Sequence, residues 1–143
     1  MATRSRIGIE KEDGTVESIY CHWDGYPSNN GVILQENYQD REKVEELISL
    51  GDISSLRMRV KPNEDEVHTF DTPLDDVTIS YHRDRGEDYR KPRVDENKDL
   101  YFRSDLEEWG YLYTKENEWV VTDGYDRTDP VTLREYFDKE PHI

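Results

Sequence analysis

The chain holds a single cysteine, Cys21, which excludes an internal disulfide framework. No apolar run approaches the ~20 residues that a membrane span needs. The opening MATRSRIGIE lacks the apolar stretch of a secretory signal. Together these absences make a soluble, reduced, intracellular protein the expectation. Basic residues are also scarce, 19 Lys and Arg against 34 Asp and Glu, for a net charge of −15. Such a surface repels nucleic acid and anionic membranes, so neither is an expected partner, and a basic partner suits it better. Hydrophobic residues make up only 33% and charged ones 37%, a balance common in disordered chains. Disordered chains are poor in aromatics, however, and this one spreads ten Tyr, three Trp and three Phe along its length. A fold with a small aromatic-rich core follows, and 143 residues suit one domain spanning 1–143.

Ile7 and Ile9, then Val16 and Ile19, flank Asp13-Gly14 and predict a β-hairpin. A short helix is expected in GVILQENY, and a firmer one in DREKVEELISLG. There Asp40 is placed to cap, Val44, Leu47 and Ile48 share one face, and Gly51 closes the helix. Residues 57–76 read as loop with one strand near Val67–Phe70, VTISY (77–81) as a strand, and the following charged stretch as loop. Asp95 is a candidate cap for a further helix. A second hairpin is expected around Lys115–Asn117, then a turn over 123–130 and a last helix with Leu133, Tyr136 and Phe137 on one face. The expected class is α+β, a compact domain of antiparallel hairpins packed by two or three short helices.

The densest chemistry lies in YCHWDGYPSNNG (20–31). Cys21, His22 and Asp24 invite a metal or nucleophile reading. Neighbours on a strand face opposite sides, and no paired Cys or His spacing of a zinc site is present. No metal, cofactor or catalytic residue is therefore assigned; a small hydrolase or transferase built on Cys21, His22 and Asp24 is kept as the competing class. Trp23 and Tyr26 sit at a double turn, with Asp24 suited to bonding the turn's own amides. Positive charge gathers in three places: Arg4 and Arg6, Arg57 to Lys61, and Arg83, Arg85, Arg90, Lys91 and Arg93. Arginine grips phosphate or carboxylate bidentately and stacks on aromatic rings. Trp23, Asp24, Tyr26, His22, Arg4, Arg6, Arg83 and Arg85 are thus the candidate ligand-binding residues, for a nucleotide-like anion. The plainer reading pairs these arginines with the abundant acids. The acids offer a third reading, in which a row such as Glu107, Glu108, Glu116 and Glu118 imitates a phosphate backbone and blocks a host enzyme that handles DNA or RNA.

RSRIGI, SIYCHWDGYPSNNG, LISLGDISSL, HTFD, YHRDRGED and EWV together resemble a family of small bacteriophage and prophage proteins, from Thr3 to about Val121. YCHWDGYP is the specific element. The resemblance implies a phage accessory protein in the host bacterial cytoplasm. Proteins of that kind act by binding, blocking a host defence protein or sequestering a small signalling molecule. Counter-defence or host takeover through a nucleotide-like ligand or a host protein is the expectation, and self-association is left open.

Overall fold

The computed structural model describes residues 2–125 and 129–139. The predicted first hairpin is β1 (Ser5–Glu10) and β2 (Val16–Cys21), paired antiparallel from Ser5↔Cys21 to Glu10↔Val16. Its turn is closed by Asp13, whose carboxylate accepts from the Thr15 N–H and hydroxyl, and by Gly14 at φ +89°. A π-helical turn (Pro27–Gly31) leads into α1 (Val32–Asn37). Asp40 caps α2 (Arg41–Ser49), accepting from the Glu42 N–H, and Val44, Leu47 and Ile48 are buried as their spacing predicts. Gly51 follows at φ +77°.

Beyond α2 come β3 (Ile53–Ser55), β4 (Ile79–Ser80), α3 (Tyr81–Arg85), β5 (Arg93–Asp95), α4 (Lys98–Arg103), β6 (Trp109–Tyr113), β7 (Trp119–Asp123), β8 (Val131–Thr132) and α5 (Leu133–Lys139). The strands form one mixed sheet in the order β4-β3-β2-β1-β6-β7-β8, with β5 also on β2. The hairpins are antiparallel, while β1 pairs β6 and β2 pairs β3 in parallel. The domain is α+β, and no helix among the described residues is long and apolar enough to cross a membrane.

Four expectations change. The charged stretch expected as loop is helical through Arg85, in α3, and enters β5 at Arg93. Val67–Phe70 is not a strand: Val67 is 77% exposed, and the backbone there is satisfied by the Thr69–Thr72 turn and a bond from Phe70 N–H to the Asp84 carbonyl. Tyr81 leaves the strand because the Ser80 side chain caps α3 by accepting the Arg83 N–H, and Gly86 ends it at φ +78°. Asp95 stays in β5 opposite Val16, so Asn97 caps α4 instead, accepting from the Leu100 N–H. Both residue types cap well; strand pairing decides between them. The expected turn over 123–130 falls partly outside the described residues.

Alternation along the strands gives the sheet two unequal faces. Ile7, Ile9, Ile19, Cys21, Tyr111, Tyr113, Trp119 and Val121 point to the main core, which α1, α2 and α5 cover. The opposite face carries a smaller cluster of Val16, Leu112, Leu106 and Tyr101, roofed by α4. The rest of that second face holds the candidate site.

Candidate functional site

At the end of β2 the chain keeps pairing with β3, His22 N–H bonding the Ile53 carbonyl and Trp23 N–H the Ser54 carbonyl. It then crosses the sheet end, where Gly25 N–H donates to Thr3 and the Tyr111 hydroxyl donates to the Gly25 carbonyl at 2.6 Å. A Cβ on Gly25 would stand 2.6 Å from the Ser5 Cβ and 2.9 Å from the Thr3 carbonyl oxygen. Gly25→Ala is therefore expected to cost about 1–3 kcal/mol, read by urea denaturation; a neutral result would show that the crossing is loosely packed.

Cys21 faces the core and is fully buried. Burial pushes its thiol up to about 11, so it is no thiolate nucleophile near neutral pH. The buried Asn30 amide donates to both Cys21 Sγ and Ser5 Oγ. His22 faces the other way, with its Nδ1 2.6 Å from the Tyr20 hydroxyl and its ring edge-on to Trp23 at 4.7 Å. Trp23 and Tyr26 are 42% and 39% exposed. Asp24 adopts φ +55° and is exposed; among the described residues its carboxylate accepts no hydrogen bond from the turn, and Asn29 donates to its carbonyl instead.

The hairpin register sets Arg6 directly across from Tyr20, and Gly8 and Arg93 on either side of Ser18. Arg4, just before β1, acts electrostatically on the Tyr20 phenol. The uncovered end of the second face is thus a platform of Arg4, Arg6, Arg93, Tyr20 and His22, with Trp23 at its border. Arg93 is occupied, bonding Asp95, Ser104 and the Asp105 carbonyl. Arg4 reaches Glu107 at 3.6 Å, and that carboxylate raises its pKa. The Tyr20 phenol is pushed up by burial, with Arg4 pulling against it.

Arg6 differs from both. Its Nη1 donates to the Ser18 carbonyl and hydroxyl, while its Nε is buried with no hydrogen-bond partner. Burial first, then the like charge of Arg93, lowers its pKa. The Nε–Nη2 edge, which forks onto carboxylate or phosphate, has no partner among the described residues. A buried unpaired donor costs about 1–3 kcal/mol.

Tyr20 also forms one wall of an adjoining cleft of about 190 Å³, with Tyr81, Asp52, His82, Asp88 and Arg90 around it. Asp52 accepts the Tyr20 N–H at 3.0 Å and its charge opposes the lowering of the Arg6 pKa, so cleft and platform are neighbours. His82 Nδ1 lies 2.7 Å from the Glu87 carbonyl. A carbonyl only accepts, so Nδ1 carries the proton and Nε2 presents a lone pair.

Arg83 and Arg85 are held elsewhere. Arg83 donates to both Asp84 carboxylate oxygens and to the Val60 and Thr78 carbonyls. Arg85 lies over the Phe70 ring at 4.9 Å and pairs with Glu87. No hydrogen bond, ion pair or ring contact among the described residues joins either one to Trp23, Tyr26 or Arg4. Arg59 is likewise forked between Glu66 and Asp76. Three of the four named acids are engaged too: Glu107 with Arg4, Glu108 with the Arg4 N–H and the Tyr125 hydroxyl, and Glu118 with Arg134.

Tyr20, Arg93, Asp52, Tyr81 and His82 are absent from the sequence-derived set. Counting outward from the Asp13-Gly14 turn would have placed Arg6 beside Tyr20, since the hairpin fixes that register. Nothing local announces the cleft, which β2, the end of α2 and α3 build together. Among the described residues no group of three or more His, Cys, Asp or Glu is arranged to hold a metal ion. No family model, curated protein or solved structure matches the chain. The fold and the platform define it as an α+β domain with an arginine and aromatic surface on the open end of its sheet.

Proposed function

We propose that the protein acts by binding a nucleotide-like anion on this platform, as a phage accessory protein that sequesters the ligand in the host cytoplasm and so counters host defence. The phage setting rests on the YCHWDGYP resemblance. The binding mode rests on Arg6, whose Nε lies without a partner across from the Tyr20 ring. A phosphate oxygen there satisfies the donor, and Arg4 adds a second cation. Tyr20, His22 and exposed Trp23 offer faces for a base, a contact worth about 1–3 kcal/mol per base. Catalysis is the weaker reading, because Cys21 is a buried thiol on the opposite face from His22.

The test is calorimetric titration with ATP, ADP-ribose and a cyclic dinucleotide. At least one binds the wild type. Arg6→Ala weakens that binding about 10- to 100-fold, as loss of a charge-assisted fork of about 1.5–3 kcal/mol requires. Arg85→Ala, away from the platform, changes it less than twofold. No binding to the wild type, or equal loss from both variants, overturns the proposal.

A further inference from the structure

The cleft between Tyr20 and Tyr81 lies beside the platform and has a different polarity. Its volume, about 190 Å³, is below the roughly 300–1,000 Å³ of sites that enclose a drug-sized ligand, so it takes one part of a molecule. Tyr20, Tyr81 and Leu50 give it apolar walls of a size for a single ring. The polar groups are mostly acceptors. One Asp52 oxygen receives the Tyr20 N–H, leaving the other open. Asp88 is exposed and forms no ion pair or hydrogen bond among the described residues. His82 presents its Nε2 lone pair, since Nδ1–H is held by the Glu87 carbonyl. Arg90 brings the balancing charge.

A phosphate entering this cleft would meet carboxylates, whereas a group rich in O–H donors would find partners. The neighbouring platform has the opposite preference, with Arg6 directly across from the Tyr20 wall and in electrostatic reach of Asp52. From this polarity we infer that the cleft is the ribose subsite of the same ligand: Asp52, Asp88 and His82 Nε2 accept from its free hydroxyls while its phosphate lies on Arg6. The inference rests on the anion-binding reading above and adds selectivity to it. A site whose acceptors are matched to hydroxyls rejects an analogue that lacks them, because those acceptors are then desolvated without a partner.

Calorimetry with ADP, 2′,3′-dideoxy-ADP and pyrophosphate separates the two ideas. The wild type is expected to bind ADP at least tenfold more tightly than the dideoxy analogue. Asp88→Ala, at an exposed position with no hydrogen bond or ion pair among the described residues, narrows that gap. Equal binding of ADP and the dideoxy analogue overturns the ribose subsite, while the anion-binding reading stands as long as Arg6→Ala still weakens pyrophosphate binding. Failure of all three probes to bind the wild type overturns both.

Discussion

Replacing Asp84 with alanine is expected to destabilise the protein by about 3–5 kcal/mol, the usual consequence of removing one partner from a buried charged network. The Asp84 side chain is 3% exposed. It accepts from the Ser80 N–H at 2.7 Å, from Arg83 Nε and Nη2 at 2.8 and 2.9 Å, and from His68 Nε2 at 3.2 Å. His68 is equally buried, and its Nδ1 accepts the Leu74 N–H, so the ring is held as the neutral Nε2–H form. Arg83 carries the network on to the Val60 and Thr78 carbonyls, both at 2.6 Å. One carboxylate therefore pins the long segment between β3 and β5, which has little apolar core of its own. Without it, Arg83 and His68 are left partly desolvated and unpaired. Urea denaturation measures the loss; a cost below 1 kcal/mol would show that the segment is held by other means.

The same carboxylate gives stability an acid dependence. Burial raises its pKa, but the hydrogen bonds from Arg83 and the Ser80 N–H and the charge of Arg83 outweigh burial, and the folded value lies below the ordinary 3.8. A depressed folded pKa contributes stability that is present above the unfolded value and is lost as pH falls through the folded one. Asp84→Asn should flatten the decline in stability from about pH 5 toward pH 2; an unchanged profile would assign that decline to other carboxylates.

Trp119→Ala is expected to cost about 3–5 kcal/mol, the range for truncating a buried aromatic. Trp119 is 1% exposed, lies 5.1 Å from the Tyr113 ring, and donates its indole N–H to the Tyr38 carbonyl at 2.8 Å. That carbonyl belongs to the residue ending α1, so the indole joins β7 to the helical layer. Trp119→Phe keeps most of the volume and removes the donor, which isolates the hydrogen bond; about 1–3 kcal/mol is expected for the carbonyl left unpaired. If phenylalanine costs as much as alanine, the bond and not the packing dominates. If phenylalanine is neutral, water reaches Tyr38.

The sheet platform shows how far a linear reading goes. The Asp13-Gly14 hairpin, the Asp40-capped helix and the Lys115–Asn117 hairpin were all legible, because turn chemistry, capping and periodicity are local and the tertiary fold agrees with them. The opposed directions of Cys21 and His22 were legible for the same reason, strand alternation. Arg83 was not. Its neighbours in sequence read as a positive patch, yet its guanidinium lies among two carbonyls from the segment before β4 and a carboxylate on α3.

Composition and local pattern alone settled that this strongly acidic chain folds, around aromatics, as a small α+β domain. They also settled that YCHWDGYP turns a corner exposing Trp23 and Tyr26. Which arginines are free was decided only in three dimensions. A guanidinium's partners come from whichever backbone carbonyls and carboxylates the sheet order brings within about 3 Å, and sequence separation says nothing about that distance. Arg6 keeps an unpartnered Nε among the described residues because strand register places Tyr20, Gly8 and Gly110 around it, and none of these offers a carboxylate.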